Sequence, residues 1–206
     1  MKISGLIISL MLIAATLGNN LAIAEDFNEA LANARTIEDA YERALALNDI
    51  AIAQAKAGNA RKAKELFVQA LATAKTVDHV IDRDATLKEI AWAQAKAGNF
   101  KKAFTAVKTL EEAIPFNPNL HPSHRNWALV GIAIAQAKAG EAKEAFATLK
   151  MIKDAGLLEV ALRDLAIAQA DAGYIKEAQD TLKMIKNVHD RASVLSSIKA
   201  GANKKR

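Results

Sequence analysis

Four stretches of the chain are near copies of one another: A-I-A-Q-A-K-A-G at 51–58, A-W-A-Q-A-K-A-G at 91–98, A-I-A-Q-A-K-A-G at 133–140 and A-I-A-Q-A-D-A-G at 166–173. Self-similarity at a period of roughly 20–50 residues marks an array of repeated units, each one supersecondary element. The copies end at Gly58, Gly98, Gly140 and Gly173, so the spacings are 40, 42 and 33 residues. Counting from the glycine brings in further seats. Eight before it stands Ile50, Ile90, Ile132 or Leu165, and eleven before it Leu47, Leu87, Leu129 or Leu162. Five after it stands Ala63, Ala103, Ala145 or Ala178, and nine after it Phe67, Val107, Leu149 or Leu182. Separations of three and four place these residues on one face of each helix. Glycine readily takes the left-handed conformation just past a helix end. Each unit therefore reads as an antiparallel pair, a first helix before the glycine and a second after it.

Composition supports the same class. Hydrophobic residues make up 51% of the chain but aromatics only 5%, and Ala, Leu, Lys and Glu are abundant. These side chains lose little freedom on a helix. No convincing stretch of period-two alternation is present, which argues against strands. The expected fold class is all-α.

The pattern runs past the four copies. Phe27, Ala30, Ala34 and Ile37 match a second helix with no first helix before it. Arg191, Leu195 and Ile198 match a first helix, made more polar by Ser193, Ser196, Ser197 and Lys199, as the end of a stack requires. The expected organisation is about ten helices in one domain over 25–206: a half repeat at 25–39, repeats at 40–77, 78–115, 123–155 and 156–187, a cap helix at 188–201 and a basic tail at 202–206. Pro115, Pro118 and Pro122 fall in one segment, which proline keeps out of a helix interior. That segment is expected to be a loop, and it accounts for the 42-residue spacing. The 40-residue spacing has no proline, and its extra residues, around Thr76 to Asp84, are expected to lengthen helices.

The first 24 residues read separately. Met1-Lys2 is a short positive start, Ile3 to Leu17 is almost wholly apolar, and Ala22-Ile23-Ala24 gives small residues two apart before Glu25. This is the pattern of a secretory signal peptide. The apolar run of about 15 residues falls short of the roughly 20 that span a bilayer. Cleavage after Ala24 is expected, with a periplasmic or secreted product and no membrane segment after cleavage. The chain has no cysteine, which excludes disulfides, thiolate metal sites and a lipidated cysteine.

Several function classes find no support. The net charge is +5 and mostly interspersed, without the basic stripe of a nucleic-acid binder. No nucleophile elbow, zincin, phosphate-loop or paired-carboxylate pattern is visible, so no catalytic residue, cofactor or metal is assigned. His121 and His124 lie three apart in the proline segment, but two ligands in a loop make a weak metal site.

A repeat of 33 or more residues, with small residues where helices cross and glycine opening the turn, resembles the tetratricopeptide repeat. Gly98, Phe100 and Ala103 stand in its glycine, aromatic and alanine relationship. Gly58, Ala63, Phe67 and Ala70 match it too, and Ala51, Ala91, Gly131-Ile132-Ala133 and Ala166 hold the small residues of close packing. The copies depart from it in carrying Gln54, Gln94, Gln136 and Gln169 where an aromatic is usual. The A-Q-A-K-A-G units also look like those of poorly characterised bacterial repeat proteins.

The resemblance implies a right-handed α-solenoid that holds a peptide or helix on the concave face lined by its first helices. The seats it implies lie two, three, six and ten before the glycine. Six before are Ile52, Trp92, Ile134 and Ile167; two before are Lys56, Lys96, Lys138 and Asp171. Ten before are Asn48, Lys88, Val130 and Arg163, with alanine throughout at three before. Trp127 joins Trp92 as a candidate anchor, since aromatics carry much of the energy at interfaces. Such a surface could take an amphipathic helix or an extended peptide bearing acids. The competing reading makes the Ile and Trp residues ordinary packing and the lysines a solvated face. Family grooves that capture a C-terminal carboxylate use an asparagine where Ile or Trp stands here, so that mode is not expected. The four glutamines read as a structural ladder, because a buried amide needs partners.

The expected function is an exported, non-catalytic scaffold for a protein or peptide. The alternatives are a self-associating structural component of the cell envelope, or a small-molecule carrier or enzyme accessory.

Overall fold

The computed structural model describes residues 20–110 and 124–204. Among them the protein is all-α, with ten helices and no strand. In chain order these are α1 (Asn20–Arg35), α2 (Ala40–Lys56), α3 (Ala60–Ala74), α4 (Val80–Lys96), α5 (Phe100–Thr109), α6 (His124–Lys138), α7 (Ala142–Leu149), α8 (Ala155–Asp171), α9 (Ile175–Leu182) and α10 (Val188–Lys204). None is long and apolar enough to cross a membrane.

The repeated motif is a helix stop read residue by residue. In the first copy the Gly58 amide donates to the Ala55 carbonyl (3.1 Å) and the Asn59 amide to the Gln54 carbonyl (2.9 Å). This is the Schellman arrangement, which satisfies carbonyls that a helix end leaves free. It recurs at Asn99–Gln94, Glu141–Gln136 and Tyr174–Gln169, at 2.8, 2.9 and 2.8 Å. All four glycines have φ between +75° and +84°, a region costly for any residue with a Cβ. The second helix follows within two residues of each glycine.

Packing follows from the seats. Each first helix (α2, α4, α6, α8) packs on its own second helix and on the first helix of the next pair, ending with α8 on α10. The leucines eleven before the glycine, the aliphatics eight before and the apolar residues five and nine after are buried in all four pairs. Burying one Leu or Ile side chain contributes about 1.5–3 kcal/mol. Ala51, Ala91, Ala133 and Ala166 are fully enclosed, which lets neighbouring helices approach closely.

The spacing differences now have a structural origin. First helices α2, α4 and α8 are each 17 residues long, whereas the second helices are 15 (α3), 10 (α5), 8 (α7) and 8 (α9). The seven residues that separate the 40-residue spacing from Gly58 to Gly98 from the 33-residue spacing from Gly140 to Gly173 equal the difference between α3 and α7, the second helices they contain. Seven residues are about two helical turns, so α3 is extended without rotating its buried face. The extra length therefore lies before residue 75. Thr76–His79 belong to the connection and not to a longer helix.

The ends also differ in detail from expectation. Helix α1 begins at Asn20 and runs through Ala24, and the rest of the expected signal lies outside the described residues. Its Phe27, Ala30 and Ala34 are buried. Helix α10 continues to Lys204, taking in part of the segment read as a tail. Its Arg191 donates to the carbonyls of Leu182 and Ile185, each at 3.1 Å, while Leu195 stays 44% exposed because no second helix covers it among the described residues. The three prolines and His121 lie outside the described residues.

Candidate functional site

Four successive first helices present the same half-exposed stripe. It runs through the seats thirteen, nine, six and two before each glycine. In order these are Leu45, Asp49, Ile52 and Lys56 on α2; Ala85, Glu89, Trp92 and Lys96 on α4; Trp127, Gly131, Ile134 and Lys138 on α6; and Val160, Asp164, Ile167 and Asp171 on α8. The residue two before the glycine is exposed in every copy, and the other three are partly buried. Across the helices the stripe forms rows: apolar, acidic except at Gly131, apolar, and basic except at Asp171.

This arrangement corrects part of the expected surface. The alanines three before the glycine are buried in α4, α6 and α8. Ten before it, Asn48 is only 4% exposed and Val130 is buried, so Asn48 is not available to a partner. At about 100° per residue these two seats lie roughly 80° round the helix from the stripe's centre, towards the neighbouring helices. Ile52, Trp92, Ile134, Ile167, Lys56, Lys96, Lys138 and Trp127 do lie together on the stripe. The acids at nine before were missed; the same period, continued one turn back, points to them.

The two tryptophans are tied to each other. Trp92 Nε1 donates to the Trp127 carbonyl at 2.9 Å, and the indole lies on the backbone of Gly131. A Cβ at residue 131 would stand 2.1 Å from Trp92 Nε1, so only glycine fits beneath the ring. Lys88 Nζ sits 4.9 Å from the indole centroid, a cation–π contact, and 3.0 Å from Glu89. Lys88 is thus committed to its own helix. Arg163 is committed as well, bonded to Asp164 at 2.9 Å and to Asp190 of α10 at 3.1 Å. These bonds, to Asp164 first and Asp190 second, hold its guanidinium above its ordinary pKa.

The remaining charges are distributed unevenly. Lys56, Lys96 and Lys138 make no ion pair with any described residue. The Asp49 carboxyl is pushed up, chiefly by burial and then by the charge of Glu89 in the same row of the next helix.

The glutamines do not reach the stripe. All four are buried, and three have a side-chain partner for their oxygen. Thr148 donates to Gln136 Oε1 and Thr181 to Gln169 Oε1, each at 2.7 Å, and Asn59 donates to Gln54 Oε1 at 2.8 Å. The threonines belong to the second helix of the same pair, so these amides fasten the third and fourth pairs internally. Gln94 Oε1 has no partner among the described residues.

A separate cleft of about 170 Å³ lies between α1, α2 and α3, floored by Phe27, Leu31, Ile50 and Leu66. It is smaller than the roughly 300–1,000 Å³ of ordinary ligand pockets. Among the described residues no group of three or more His, Asp or Glu could hold a metal ion.

No protein-family model and no curated protein matches the chain. A solved structure, that of Ton1535 from Thermococcus onnurineus NA1, is similar with a TM-score of 0.44 and 14% identity, over 93% of this chain and 80% of that one.

Proposed function

We propose that the protein is a non-catalytic scaffold of the tetratricopeptide-like α-solenoid kind, exported after loss of its first 24 residues, that binds a protein or peptide across its first helices. One observation carries the reading. Four successive helices repeat the same half-exposed stripe, with aliphatic or aromatic residues in the same two rows. Ile52, Ile134 and Ile167 pack partly against the core, yet each, like Trp92, leaves apolar surface at solvent in the same row of every copy. Such a row suits a helix or peptide laid across the pairs.

The test is site-specific photocrosslinking in the native envelope. A photoreactive residue replaces exposed Lys96 on the stripe, and in a control replaces exposed Lys64 on α3. Adducts to the same protein at 96 and not at 64 are expected. Equal labelling at both positions, or none at 96, would remove the assignment. Self-association is a second reading, favoured by the apolar side chains that α10 exposes, Val188 at 75% and Leu195 at 44%. It predicts adducts of the protein with itself.

A further inference from the structure

Resting on that reading, we infer that the occupant is an acidic amphipathic α-helix whose apolar side lies on Ile52, Trp92, Ile134 and Ile167 and whose carboxylates face Lys56, Lys96 and Lys138. The charge of the stripe selects this partner. Two of its four acids are answered from within: Glu89 by Lys88 at 3.0 Å and Asp164 by Arg163 at 2.9 Å. Asp49 and Asp171 make no ion pair with a described residue; Asp49 is partly buried, and Asp171 stands at the end of the lysine row. The lysines are answered by nothing described, and they stand at one edge in three consecutive pairs. A segment lying on the apolar row beside them gains by carrying negative charge along that edge.

Spacing favours a helix over an extended strand. Packed helices lie about 8–10 Å apart, so successive lysines recur at about that interval. Seven residues of a helix advance about 10.5 Å and return to the same face. Same-face residues of a strand recur at about 6.6 Å and soon fall out of step. Carboxylates at seven-residue intervals therefore meet Lys56, Lys96 and Lys138 in turn, while apolar residues of the same repeat cover the row beside them. At the fourth position Asp171 reverses the sign. The fitting helix carries three acids and then a base, over about 30 Å or 20 residues.

Designed amphipathic helices of about 24 residues provide the probe. They share one apolar face and differ at four heptad-spaced positions: Glu-Glu-Glu-Lys, Glu-Glu-Glu-Glu or Lys-Lys-Lys-Glu. Fluorescence anisotropy with the full chain is expected to show the first binding about tenfold or more tighter than the third, as three exposed charge pairs allow. In the triple variant Lys56→Glu, Lys96→Glu, Lys138→Glu the order should reverse. All three side chains are exposed, and circular dichroism checks that the fold is kept. Asp171→Lys should shift preference from the first peptide to the second. Equal affinity for the first and third peptides overturns the charge assignment, and so does failure of all three to bind. In either case adducts at residue 96 would leave the scaffold reading standing, whereas their absence would remove both.

Discussion

The second and fourth helix pairs carry the same motif letter for letter except at two places, yet they are held by different means. In the fourth pair, α8–α9, Thr181 donates to the buried Gln169 at 2.7 Å, and Arg163 bonds Asp190 of the following helix at 3.1 Å. In the second pair, α4–α5, Ala106 stands where Thr181 does, and Gln94 Oε1 has no partner among the described residues. That pair grips the next first helix with an aromatic ring instead, Trp92 on Gly131. The repeated letters set the turn and the core. The seats between them decide whether a pair is fastened by polar bonds inside it or by a ring at its junction.

The junction is the place to break this contrast most severely. Gly131→Ala puts a methyl group within the indole's space, so Trp92 must swing out and lose its bond to Trp127. Overpacking of this kind costs about 1–3 kcal/mol, read as a lowered urea midpoint. Adding Trp92→Ile, the residue of the other three copies, should recover much of the loss. A double-mutant cycle would measure the coupling, and simple additivity would show that the ring and the glycine do not depend on each other.

The polar fastening is tested by removing it where it exists and adding it where it does not. Thr181→Ala strips the Gln169 oxygen in a fully buried site and should cost about 1–2 kcal/mol. Ala106→Thr offers Gln94 the partner that Thr148 gives Gln136 at 2.7 Å, and should gain about 1 kcal/mol. Loss of stability in Ala106→Thr would mean that the second pair is too tightly packed for the bond.

This contrast also marks what could be read from the letters. The glycine turn and the buried seats were legible because they sit at constant offsets, and a helix has one period. The length of α3 was not, because two added turns leave that period unbroken and do not say which helix received them. The stripe was legible only in part. Ile52, Trp92, Ile134 and Ile167 lie on it, but Asn48 lies 4% exposed against the neighbouring helices. Gly131 was read as a place of close packing; what lies on it is a residue one pair earlier, which no local pattern discloses.

Asp49 brings titration into the comparison. Its carboxyl is held above the ordinary value of 3.8, chiefly by burial and then by the charge of Glu89. A raised native pKa means that the native state holds more protons than the unfolded state just above pH 3.8. Stability contributed by this group therefore falls as pH rises from there through the native pKa. Asp49→Asn should melt higher than the wild type at neutral pH, and the two should converge below pH 3.8. A constant difference across the range would show that the amide acts by packing.

The smallest effect concerns Asp171. Lys56, Lys96 and Lys138 are the last residues of their helices, where a cation meets the negative end of the helix dipole. Asp171 is the last residue of α8 and meets that end with the wrong sign. Asp171→Lys should therefore stabilise the fold by about 0.3–1 kcal/mol at low salt, and less in 1 M salt where the Debye length is about 3 Å. A gain would show that the aspartate is kept against the interest of its own helix. Its reason would then have to be sought on the stripe, where it is the one acid in the row of Lys56, Lys96 and Lys138. No gain would mean that the helix end is indifferent to sign, and the three lysines could no longer be explained as caps.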